Sequence, residues 1–163
     1  MGFYQLHRTQ KLPAKIDEVW DFISRPDNLK KITPPYMGFD ITSKYAGEKM
    51  YPGIIIAYRV SPVFGIKMNW VTEITHIKEK EYFVDEQQIG PYSIWHHEHR
   101  IQPIESGVLM TDIVSYKPPF GFLGSIANSV LIKKKLNDIF DFREKVLNDI
   151  FVNPEQCPAD HDE

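Results

Sequence analysis

The sequence predicts an α+β domain: a curved antiparallel sheet of seven strands, two short helices after the first strand, and one long C-terminal helix over the concave face. Three observations carry this. Apolar residues alternate with a period of two over most of the stretch from Phe39 to Lys117, as half-buried strands require. Two other stretches, one after Pro13 and one ending near Phe151, space their apolar residues as helices do. Finally, Asp85, Gln87, Trp95, His97, His99, Asp112 and Tyr116 share the parity of their strands' apolar inner residues. Turning acids and imidazoles toward a sealed core without partners costs several kcal/mol per group, roughly. The concave face is therefore expected to line a cavity.

Taken in order, residues 3–12 alternate weakly and form the first strand. Pro13 opens a helical segment with Ile16, Val19, Trp20 and Ile23 on one face. Pro26 and Asp27 restart a short second helix, which Pro34 and Pro35 stop. Ile54, Ile56, Tyr58 and Val60 then alternate with Ile55, Ala57 and Arg59, and Met68, Trp70, Thr72 and Ile74 with Asn69, Val71 and Glu73. The polar turn Lys78 to Glu81 leads into the strand of Phe83 and Asp85. Pro118, Pro119, Gly121 and Gly124 end the strand pattern, and a long helix follows with Ile132, Leu136, Ile139, Phe140, Val146, Leu147 and Ile150 in its apolar stripe. Arg143 falls inside that stripe. One domain spans residues 1–151, and residues 152–163 form a flexible acidic tail. The pattern leaves open whether Pro118 to Gly124 acts as a lid, and it sets no oligomeric state.

Two turns predict the register. Gly90-Pro91-Tyr92 closes one hairpin, which sets Asp85 opposite His97 and Gln87 opposite Trp95. Glu105-Ser106-Gly107 closes the next, which sets His99 opposite Asp112 and Trp95 opposite Tyr116. A slip of one residue would reverse every face, so the agreement of both turns with one parity is informative.

Composition narrows the function. With 163 residues the chain makes one domain with a sizeable core. Aromatic residues reach 13%, which suits an apolar pocket, and the net charge of −3 provides no basic footprint for nucleic acid. No apolar run is long enough to cross a membrane, and the N-terminus MGFYQLHRTQ lacks the apolar core of a signal peptide. The one cysteine, Cys157, lies in the tail and argues against a disulfide framework or a Cys-based zinc site. A cytoplasmic protein with neither a nucleic-acid nor a membrane partner is expected. The three lysines at 133–135 form a solvated helix face.

The segments VWDFISRPDNLKKITPP, GPYSIWHHEH, GVLMTDIVSYKPPFGFLG and IFDFRE resemble the START-like helix-grip superfamily, which includes the birch pollen allergen and the polyketide cyclases. The chain is identified more narrowly with the bacterial SRPBCC ligand-binding proteins, over residues 3 to 151. The resemblance implies a hydrophobic-ligand cavity between sheet and long helix. It implies no particular reaction, because this fold hosts many functions. The allergen-type glycine-rich loop is not matched: KYAGEKMYPG has only Gly47 and Gly53, so no phosphate or nucleotide site is carried over.

The candidate ligand-binding residues are Tyr58, Trp70, Asp85, Gln87, Trp95, His97, His99, Asp112, Tyr116, Phe140 and Arg143. His97, His99 and Asp112 have the composition of a two-His, one-carboxylate metal site. The more economical reading is a pair network, His97 with Asp85 and His99 with Asp112, and neither a metal nor another cofactor is expected. The same three residues are the candidates for acid–base catalysis, since an imidazole beside a carboxylate can exchange protons near neutral pH. Arg143 either meets a ligand carboxylate, snorkels at the stripe's edge or pairs with a sheet acid. His96 and Glu98 fall on the outer face, and His76 stands at a strand end. The first expectation is binding of a small, largely apolar molecule carrying a polar group. A cofactor-independent cyclase or dehydratase using His97 or His99 is the alternative, and an interaction subunit with a vestigial pocket is the third.

Overall fold

The computed structural model describes residues 2–43, 49–61, 65–119 and 131–152. Strand β1 (Tyr4–Leu12) is followed by helices α1 (Ile16–Ile23) and α2 (Pro26–Lys31), then by a 3-10 turn at Pro35–Met37. Strands β2 (Asp40–Ile41), β3 (Ile55–Val60), β4 (Met68–Lys78), β5 (Tyr82–Ile89), β6 (Ile94–Ile104) and β7 (Gly107–Lys117) come next, and helix α3 (Lys133–Val152) closes the described chain. Among the described residues the seven strands form one sheet in the order β1-β7-β6-β5-β4-β3-β2, antiparallel throughout. This is the expected α+β helix-grip layout. Residues 120–124 of the Pro118–Gly124 segment, Gly47 and the tail with Cys157 lie outside the described residues.

Local chemistry accounts for the helices. Asp17 and Glu18 stand in the first turn of α1, where the helix dipole favours them. The Glu18 carboxylate also accepts the Lys15 backbone N–H at 3.1 Å. Pro26 occupies the first turn of α2, where its missing N–H costs nothing. Pro34 and Pro35 stop that helix as expected, and they add a short 3-10 turn that alternation alone does not foretell.

The turns hold the sheet register. Asp85 pairs with His97, His99 with Asp112 and Trp95 with Tyr116, as the two hairpins predict. Gly107 explains why the second hairpin is fixed so firmly. Its φ is +131°, and a Cβ there would stand 2.1 Å from the Leu12 carbonyl oxygen. Only glycine lets β7 start this close to the end of β1.

Leu12, Val19, Trp20, Ile23, Ile56, Ile74, Phe83, Val108, Met110 and Leu147 form the main buried cluster between the sheet, α1 and α3. Val114, Tyr116, Leu136 and Phe140 form a second one. Helix α3 buries Leu136, Phe140, Arg143 and Leu147, a stripe at helical spacing. Strand β1 grips α3 through its inward polar residues. The Arg8 guanidinium bonds Asp141, and the Gln10 amide donates to the Glu144 carbonyl at 2.8 Å and the Asn148 side chain at 3.0 Å.

Candidate functional site

Three adjacent strands each supply part of one cluster. Strand β5 supplies Asp85, β6 supplies His97 and His99, and β7 supplies Asp112. His97, His99 and Asp112 are buried, at 4%, 7% and 6% exposure. The pairing differs from the two separate His–Asp pairs that register suggests, because each imidazole bridges both carboxylates. His97 reaches Asp112 Oδ1 through Nε2 at 2.9 Å and Asp85 Oδ2 through Nδ1 at 3.4 Å. His99 reaches Asp85 Oδ2 through Nε2 and Asp112 Oδ1 through Nδ1, both at 2.9 Å. The two imidazoles are tilted together with centroids 3.7 Å apart, and His99 stacks on Phe83 at 4.2 Å. The Trp95 indole donates to the other oxygen of Asp85 at 3.2 Å.

The electrostatics follow from this closed ring. Burial pushes both carboxyl groups upward, but hydrogen bonds from His97 and His99 outweigh it and hold Asp85 and Asp112 well below the usual carboxylate range. Burial also opposes a charge on His97, and the hydrogen bonds to Asp112 and Asp85 overcome it, so its pKa rises above the ordinary 6.5. Tyr58 and Tyr92 are pushed upward by burial and remain neutral phenols.

A cavity of ≈130 Å³ lies between this wall, α2 and α3. Of the candidate residues, Tyr58, Trp70, Asp85, Trp95, His97, His99, Phe140 and Arg143 line it. Gln87, Asp112 and Tyr116 are not on its wall. Asp112 contacts the imidazoles that are. The Gln87 amide clasps the β5–β6 turn, donating to the Tyr92 carbonyl at 2.7 Å and accepting the Tyr92 N–H at 3.2 Å. The β5–β6 ladder ends at Glu86 and His96, so the expected Gln87–Trp95 pair is not formed. Tyr116 packs on Tyr4, Tyr92 and Trp95.

The structure adds Tyr92, Ile56, Phe83, Met110 and residues of α2 to the wall. Tyr92 reads as a turn residue in the sequence, yet its ring meets Trp70, Trp95 and Tyr116. An aromatic inside a tight turn was the available signal. On the outer face His96 bonds Glu86 at 2.9 Å, and Glu98 pairs with Arg100. His76 is exposed because an irregularity in the β4–β5 register around Thr75 reverses the parity of β4 beyond Ile74.

Arg143 is buried rather than placed at the stripe's edge, with 8% exposure. Its Nη1 stands 3.7 Å from Asp112 Oδ1, and its guanidinium lies 4.8 Å over the Phe140 ring. Asp85, His97 and His99 could together offer three metal-ligand atoms, all within 4.8 Å of one another, with Asp85 in place of the Asp112 that the sequence suggests. Each ring nitrogen of that set already faces a carboxylate oxygen, so a metal would have to displace the hydrogen-bonded ring. The chemistry available is proton exchange within the cluster and donation from Arg143.

Residues 12–138 match the family described as polyketide cyclase / dehydrase and lipid transport. The chain belongs to that family. Among solved structures, protein Ms6760 from Mycobacterium smegmatis aligns at 15% identity over 90% of this chain and 92% of its own, with a TM-score of 0.63. A protein from Arthrobacter aurescens aligns at 14% identity over 98% and 92%, with a TM-score of 0.68. Ara h 8.0201 aligns at 14% identity over 90% and 98%, with a TM-score of 0.58. At these identities the likeness is one of fold. None of the curated proteins matches. Among the described residues, no helix is long and apolar enough to cross a membrane.

Proposed function

We propose that this family member binds a small, largely apolar molecule carrying a polar group in the cavity between the sheet and α3. The observation that carries this reading is the makeup of the wall: Tyr58, Trp70, Phe83, Tyr92, Trp95 and Phe140 surround a few convergent polar groups. Small-molecule sites have this composition, with apolar area supplying affinity and polar groups supplying orientation. Burial of apolar ligand surface contributes about 25 cal/mol per Å². The family's description, which includes lipid transport, agrees with the reading.

The closed His–Asp ring favours binding over acid–base catalysis. A general base needs a nitrogen free to take a substrate proton. Here both nitrogens of His97 and both of His99 face carboxylates at 2.9–3.4 Å. The cyclase or dehydratase alternative requires that ring to open when substrate enters.

Native mass spectrometry of the protein as purified from cells tests the reading. The expected result is a bound small molecule that organic solvent extracts. An empty protein whose tryptophan fluorescence is unmoved by small aromatic compounds would overturn it, because Trp70 and Trp95 line the cavity.

A further inference from the structure

The charged and amide groups of the cavity wall, and Thr33, can be taken in turn. Arg25 is paired with Asp21 at 3.2 Å, Asn28 donates to the Phe22 carbonyl at 2.9 Å, and Thr33 donates to the Leu29 carbonyl at 2.7 Å. Asp85, His97 and His99 are engaged in the ring already described. Three buried side-chain atoms of wall residues remain without a hydrogen-bond partner among the described residues: Trp70 Nε1, Arg143 Nε and Arg143 Nη1. The neighbouring carboxylate does not satisfy Arg143. Asp112 Oδ1 is 3.7 Å away and already takes His97 and His99 at 2.9 Å each.

All three unmet atoms are donors on two side chains, and neither an indole nor a guanidinium can accept. The guanidinium of Arg143 carries a permanent positive charge, while the two nearby carboxylates already face His97 and His99. Leaving such donors buried without a hydrogen bond is costly, and the 3.7 Å ion-pair contact with Asp112 supplies none, so the group that completes the wall bears acceptor oxygens and a negative charge.

From this we infer that the polar group of the ligand is a carboxylate, received by Arg143 with the Trp70 indole as a second donor, on an apolar body about the size of one aromatic ring. The size follows from the ≈130 Å³ cavity. An apolar cavity of about 150 Å³ takes up benzene. The inference rests on the cavity-binding reading and adds the charge and class of the ligand.

Calorimetric titration with three matched probes at neutral pH tests it: phenylacetate, phenylacetamide and toluene. The wild-type protein is expected to bind phenylacetate roughly ten- to a hundred-fold more tightly than the other two, the worth of a charged hydrogen bond. Arg143→Met should collapse that ratio toward one, and Arg143→Lys should restore part of it. Should Arg143→Met fail to fold, the wild-type ranking still decides, and Trp70→Phe provides a second variant with a smaller drop in the same ratio. Equal binding of all three probes by the wild type would overturn the carboxylate assignment and leave the cavity reading standing. Binding of none would overturn the cavity reading and this inference with it.

Discussion

His97 is hydrogen-bonded to Asp112, Nε2 to Oδ1 at 2.9 Å, although the β6–β7 ladder sets Asp112 opposite His99. The bond runs diagonally across the ladder. Together with the matching bond from His99 to Asp85 it joins three strands, and the contacts of His97 Nδ1 with Asp85 and of His99 Nδ1 with Asp112 close the ring. The ring stiffens the wall behind the cavity and keeps four titratable groups within one network.

Stability should therefore peak in mildly acidic solution. The His97 pKa is raised in the folded protein, so its contribution is complete below 6.5 and is lost as pH rises through the higher folded value. The Asp85 and Asp112 pKa values are lowered, so their contributions are complete above 3.8 and are lost as pH falls below it. Urea midpoints measured at about pH 3, 5 and 9 should be highest at the middle value. A midpoint still climbing between the last two would contradict the ring.

Asp112→Asn should destabilise the fold by about 3–5 kcal/mol, the usual result of breaking a buried charge pair by removing one partner. Asparagine keeps the shape but removes the charge that both imidazoles face. Chemical denaturation measures the loss. A change below about 1 kcal/mol would mean that the ring is not a structural element.

Gly107→Ala should be costly for a different reason. The left-handed φ alone costs roughly 1–3 kcal/mol, and the new Cβ meets the Leu12 backbone. Thermal unfolding should show a marked drop in Tm. An unchanged Tm would show that the β1–β7 junction can shift.

Gln87→Ala should weaken ligand binding without touching the wall directly. It removes two hydrogen bonds to the Tyr92 backbone, at about 1 kcal/mol each. Tyr92 lines the cavity, so loosening its turn disturbs the aromatic wall. Titration of any bound probe against this variant and the wild type makes the comparison. Equal affinities would detach the turn from the site.

Chelation should leave Tm and binding unaltered, since the ring nitrogens already face carboxylates. Elemental analysis before and after EDTA provides the check. A stoichiometric metal lost together with stability would replace the hydrogen-bonded ring by a metal site, since metal binding couples to folding.

Alternation and turn chemistry, both local, were enough to determine the order of elements, the antiparallel sheet and the inner face. Parity placed Asp85, His97, His99 and Asp112 together, because a strand's side chains alternate with a fixed period and a short hairpin allows one register. Tertiary structure decided everything that depends on where a side chain turns after leaving its Cα. Side-chain rotation made a crossed ring from facing pairs, and the irregularity near Thr75 sent His76 outward. Gln87 left the site for the Tyr92 backbone, while Tyr92 folded in from its turn. Arg143 shows the difference most clearly. Helical spacing places it in the apolar stripe, but whether a long basic side chain escapes to solvent depends on what packs over it. Here Phe140 and the sheet enclose it, and two of its buried donors are left without a hydrogen bond.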